Sequence, residues 1–131
     1  MSAAQQAVQS SHALADAILR FTKEALEWHR VSNTLVILSV KDELNLVYTE
    51  DSLKEKNMKF VPFREPDLND ELTAIAIMPC EEAKEFTKNF SLALKNYAPV
   101  AQQVRAASSK EVDLVQFQRV RQLDPEVEKI I

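Results

Sequence analysis

From about Ala4 to His29 the apolar residues Leu14, Ile18, Phe21, Ala25 and Trp28 recur at steps of four and three, the spacing of one helix face. Val8, Ala15, Leu19, Thr22 and Leu26 form an adjacent stripe, so this helix is expected to lie between a sheet and another element. Asn33 breaks the pattern. Thr34 to Val40 is then a continuous apolar, β-branched run, the signature of a strand covered on both faces. Asp42 is placed to cap a helix carrying Leu44, Val47, Tyr48 and Leu53, ending near Asn57. Met58 to Phe63 reads as a short strand stopped by Pro66, and Leu72 to Met78 as a second, fully apolar strand. Pro79 and the acidic pair Glu81-Glu82 open a further helix, whose buried face is expected at Ala83, Phe86, Phe90 and Leu94.

This order predicts an α/β fold, a three-layer sandwich in which a small mixed sheet of about four strands is flanked by helices. After Tyr97 the pattern weakens. Pro99 to Lys110 is rich in Ala, Gln and Ser and reads as a linker or loosely packed helix, while Glu111 to Val120 fits a strand or a helix. Asp124-Pro125 suits a helix start for a short stretch to Ile131. The expected division is therefore a domain over 1–97 and an extension over 98–131 that completes the sheet or mediates dimerisation.

Composition narrows the chemistry. A chain of 131 residues fits one domain, and a net charge of −4 offers no bulk attraction to phosphates, so nucleic-acid binding would need a local basic patch. The lone cysteine, Cys80, cannot form an internal disulfide, and no signal pattern or bilayer-length apolar run is present; a cytoplasmic location without membrane contact is expected. There is no glycine at all, where average usage of about 7% would give around nine. Phosphate-cradling glycine loops are thereby excluded. Turns fall to Asn, Asp and Pro, as at Ser32-Asn33, Asn57, Pro66 to Asp70 and Asn96.

Two segments carry a resemblance. Ala7-Val8-Gln9-Ser10-Ser11-His12-Ala13 looks like the Ala-Ala-Gln-x-x-His-Ala helix motif of the type-2 peptidyl-tRNA hydrolases. Leu72-Thr73-Ala74-Ile75-Ala76-Ile77-Met78-Pro79 is similar to the last core strand of that family, normally Thr-x-x-x-Ile-Gly-Pro. The Arg64-Glu65-Pro66-Asp67 loop resembles a divergent, bacterial or phage-like branch more than the archaeal and eukaryotic members. The resemblance spans Gln5 to Leu94. It implies a four-stranded mixed sheet and hydrolysis of the ester between a peptide and a tRNA 3′ end, with no metal and no cofactor. Such a reaction needs an oriented water, a proton acceptor and donors for the oxyanion.

Carried residue by residue, the resemblance makes His12 the group that orients water or substrate, and Asp67 or Asp70 the acid/base. Gln5 and Gln9 would donate hydrogen bonds, Thr73 would hold the substrate, and Ser11 and Arg64 would line the site, Arg64 on a tRNA phosphate. Each has a plainer reading: a helix histidine at the core edge, capping or surface amides and hydroxyls, an acidic turn, a β-favouring threonine, and an arginine paired with Glu65 or Asp67. No His or Cys accompanies Asp67, Asn69, Asp70 and Glu71, so a metal site is not expected there.

The chain departs from the family in three ways that matter, one being that the family's loop aspartate lies further from the strand threonine than Asp67 or Asp70 lies from Thr73. The family's glycine-lysine pair aligns with Ala4-Gln5, so a neutral amide replaces a cation. The family's first strand, which precedes this helix and lies within the sheet, has no counterpart before Met1. Unpaired backbone in that slot must find partners, and Leu114 to Pro125 faintly resembles the lost segment. A catalytically inactive binding or assembly domain, in either case a homodimer, is the alternative to a hydrolase acting on peptidyl-tRNA.

Overall fold

The computed structural model describes residues 1–94 and the strand at 112–118. The elements are α1 (Ala3–Arg20), α2 (Thr22–Val31), β1 (Thr34–Val40), α3 (Glu43–Glu55), β2 (Phe60–Glu65), β3 (Glu71–Ile77), α4 (Glu81–Thr87), β4 (Ser91–Leu92) and β5 (Val112–Gln118). The strands form one mixed sheet in the order β2-β3-β5-β1-β4. It has five strands, one more than expected, because the two-residue β4 pairs with β1 at the edge, Leu38 opposite Leu92. The linker expected over 99–110, the domain boundary at 97/98 and the helix expected after Asp124 lie outside the described residues.

The ambiguous segment is a strand. β5 runs antiparallel to β1 along its whole length, from Thr34 opposite Gln118 to Val40 opposite Val112, and parallel to β3 from Ala74 to Ile77. It occupies the slot between β1 and β3, and so joins the β2–β3 pair to the β1–β4 pair.

Each face of the sheet has its own core. On one side α1 and α2 pack through Ala13, Ala17, Ala25 and Trp28 onto Val61, Ala74, Ala76 and Met78. On the other, Leu46 and Leu53 of α3 and Ala83 of α4 pack onto Leu38, Leu72, Ile75 and Ile77. β3 is therefore covered on both faces, as its unbroken apolar run requires.

Four expectations need correction. The first helix is two helices, broken at Phe21, whose backbone (φ −114°, ψ 54°) leaves the helical region while its N–H still reaches the Ala17 carbonyl. The Thr22 hydroxyl, donating to the Ile18 and Leu19 carbonyls, occupies acceptors at the break. The second stripe of α1 is not sandwiched: among the described residues Val8, Leu19 and Leu26 stay exposed, Leu19 to 78%. In α3, Leu44 and Tyr48 face solvent while Leu46, Thr49, Glu50 and Leu53 turn inward. Finally, α4 stops at Thr87, and Leu94 lies beyond β4 rather than on a helix face.

Asparagine does serve where glycine is missing. Asn33, Asn57, Asn69 and Asp70 adopt left-handed backbone with φ of 53–57°, the region their short polar side chains tolerate best after glycine.

An interior strand needs its N–H groups on both sides. Val115→Pro, at the position opposite both Ile37 and Ala76, is expected to abolish cooperative unfolding in a urea titration. Deleting 110–131 should have the same effect, and an unchanged transition after that deletion would show that β5 does not hold the sheet together.

Candidate functional site

The bulge between β2 and β3 organises the site. Phe63 lies opposite Ala74 but Arg64 lies opposite Leu72, so Thr73 is the extra residue. Leu72 joins the α3-side core and Ala74 the α1-side core. The bulge turns Thr73 towards α1 as well, since its hydroxyl donates to Gln9 Oε1 at 2.8 Å.

Gln9 is the hinge of the constellation. It is buried on the inner face of α1, and its amide Nε2 donates to Glu65 Oε2 at 3.0 Å while its carbonyl accepts from Thr73. An amide offers a donor and an acceptor on one flat group, which is what a buried position between a hydroxyl and a carboxylate requires. Glu65 Oε1 also accepts from the backbone N–H of Asp67 at 3.3 Å, capping the short turn Pro66–Leu68. One helical turn past Gln9, the exposed His12 ring stacks on Phe63, with centroids 4.8 Å apart and planes 14° from parallel. The Gln9 amide, then the Asp67 N–H, then the positive form of His12 hold the Glu65 carboxyl below its ordinary range.

The sequence assigns Glu65 no role in the site, only a place in the Arg64–Asp67 loop and a pairing with Arg64. Strand alternation could have found it. Val61 and Phe63 pack on the α1 side, and Glu65 follows two residues on.

The other expected residues divide. His12, Gln9 and Thr73 are brought together. Gln5 is exposed and engaged in a capping box: its Oε1 accepts from the Ser2 N–H at 2.9 Å, and its own N–H donates to Ser2 Oγ at 3.1 Å. Ser11 donates to the Ala7 carbonyl at 2.7 Å. Arg64 points to the opposite face, forming two bonds to the buried Glu50 carboxylate, 2.7 and 3.1 Å, rather than pairing with Glu65 or Asp67. That bond to Glu50 raises the Arg64 pKa. Asp67 and Asp70 are exposed, and among the described residues neither side chain joins the Thr73–Gln9–Glu65 chain. Nor, among those residues, do three metal-ligating side chains gather anywhere.

A cleft of about 420 Å³ adjoins Thr73, bordered by Met1, Asp42, Glu43, Leu44, Leu68 and Glu71. Within it the Glu43 carboxyl hydrogen-bonds Glu71, and this contact, followed by burial and the repulsion between the two, raises its pKa above the ordinary 4.5. A raised folded-state value means stability present below 4.5 and lost as pH climbs through the raised value. Glu71→Gln should therefore raise the melting temperature at about pH 7 and make no difference near pH 4, where Glu43 is already protonated. Glu65 has the opposite sign: its contribution is full above the ordinary value and lost as pH falls through the depressed one, so Glu65→Gln should flatten the acid limb of the stability curve.

No curated protein and no solved structure matches the chain. The family model for Peptidyl-tRNA hydrolase PTH2 matches residues 1–93, which include α1, both strands of the bulge and every residue of the Thr73–Gln9–Glu65 chain. With that match added to the motifs and the mixed sheet, the chain belongs to the Peptidyl-tRNA hydrolase PTH2 family.

Proposed function

We propose that this chain hydrolyses the ester joining a peptide to the 3′ end of a tRNA, in the cytoplasm, and that it stands with the bacterial branch suggested by Arg64-Glu65-Pro66-Asp67. The observation that carries this reading is the hydrogen-bonded chain from Thr73 through Gln9 to Glu65, with His12 held beside it on Phe63. An imidazole can take and return a proton near neutral pH. His12 takes a proton from water, and the resulting hydroxide adds to the ester carbonyl. The tetrahedral intermediate then expels the ribose oxygen, which receives the proton back from the imidazolium. Glu65, kept ionised by Gln9 and the Asp67 N–H, stabilises that imidazolium. Thr73, expected to hold the substrate, is assigned instead to positioning the Gln9 amide, on which its hydroxyl is spent. Asp67 and Asp70 are assigned to the rim, where they contact the substrate's outer parts.

With N-blocked aminoacyl-tRNA as substrate, His12→Ala and Glu65→Gln should each lower kcat by about 10²–10⁴-fold. Asp67→Asn and Asp70→Asn should cost less than about tenfold. A folded wild-type protein that leaves the ester at its spontaneous rate would refute the reading.

A second reading, assembly, draws on one observation: Val8, 52% exposed, and Leu19, 78% exposed, lie on the same helix as His12. We propose that two copies pair through this face. Sedimentation should then show a dimer that Leu19→Asp converts to monomer, and a monomeric wild type at about 100 μM would exclude it.

A further inference from the structure

On the face of the sheet opposite His12, a second cleft of about 430 Å³ lies between α3 and the turn that follows α4. Three aromatic rings line it. Phe86 and Phe90 meet at 5.8 Å with planes tilted by 54°, and Tyr48, 58% exposed, stands across from them on α3. Tyr48 does not serve the core of α3, which is built from Leu46 and Leu53. Its exposure is therefore not explained by packing.

Polar groups line the same cleft. Asn45 spends its amide nitrogen on Asp42 Oδ1 at 2.7 Å, and its side-chain oxygen accepts nothing from the described residues. Asn89 adds a second amide beside Phe90. Lys41 reaches the cleft from the end of β1 and makes no ion pair among the described residues. Lys56 adds positive charge nearby, 6.0 Å from the centre of the Phe86 ring.

We propose that this cleft binds a nucleotide, with the base against the aromatic rings and the phosphate on Lys41. A purely apolar ligand would cover the Asn45 side-chain oxygen without giving it a donor. A simple anion would have no use for three ring faces, and a sugar none for the lysine. A nucleobase uses all three features: a π-face for Tyr48 and the phenylalanines, amino donors for the Asn45 carbonyl, and a phosphate for the cation. The nucleotide can be one residue of an RNA chain or a free mononucleotide. The site is separate from His12 and Glu65, so it does not depend on the hydrolase reading.

The test is an amide chemical-shift titration of the full chain with AMP and, separately, adenosine. AMP should perturb Tyr48, Asn89 and Ser91 and leave Gln9 and Thr73 unmoved. Tyr48→Ala should weaken both ligands about tenfold. Lys41→Gln should weaken AMP alone and erase its advantage over adenosine. Both side chains are exposed, so neither substitution threatens folding. If unacylated tRNA binds, is weakened by the same two substitutions and is displaced by AMP, the nucleotide belongs to RNA. If tRNA binding ignores them while AMP binding does not, the ligand is a free nucleotide. Absence of shifts at millimolar AMP, or shifts that survive both substitutions, would overturn the proposal. Because the readout is binding, a failed ester assay leaves this result intact.

Discussion

The backbone hydrogen bonds of β5 to both neighbours are the constraint on which the rest of the molecule depends. β1 and β3 do not pair with each other; each pairs with β5. Without that strand, β1–β4 and β2–β3 would be two separate pairs, each exposing a row of donors and acceptors beneath the helices. α1 packs on β2, β3 and β5, so the helix that carries His12 and Gln9 is seated on a surface that exists only when the sheet is continuous. A strand from the C-terminal part of the chain thus takes an interior position in the sheet.

On that platform the local geometry of the site comes from one irregularity and one amide. The bulge at Thr73 turns a hydroxyl towards α1 from a strand whose other residues are aliphatic, apart from the leading Glu71. Gln9 converts it into a chain ending on a carboxylate. Ordinary alternation along β2 leaves Arg64 and Glu65 on opposite faces. Arg64 thus satisfies the buried Glu50, a charge that would be costly alone, while Glu65 remains with Gln9 and His12. The two ends of an adjacent dipeptide do structural and chemical work on different sides of the sheet. Near the start of the same helix, Gln5 caps α1 together with Ser2.

Much of the architecture was legible along the chain. β3 follows from its unbroken apolar run, α3 from its Asp42 cap, and the left-handed turns at Asn33, Asn57 and Asn69 from the lack of glycine. β1 is a strand as its run predicts but is not covered on both faces, since among the described residues Leu35 stays exposed. The less legible parts share a cause. The buried face of α1 runs through Gln6, Gln9, Ser10, Ala13 and Ala17, small or polar residues that hydrophobic periodicity passes over in favour of the exposed Val8 and Leu19. The residues that make the closest approach to the sheet are small for that reason, and their burial leaves no apolar signature.

By itself, then, the sequence determined the class of fold, the order of most elements, the turn residues and the family motifs around His12 and Thr73. These depend on neighbours within a few residues, where period, capping and backbone preference act directly. Only the tertiary structure decided that β5 lies between β1 and β3, that Arg64 belongs to Glu50, and that Glu65 rather than Asp67 or Asp70 meets Gln9. Each of those is a contact between distant parts of the chain. Its partner is selected by which face a residue presents, and at Thr73 a bulge of one residue changes that face without any mark in the local pattern.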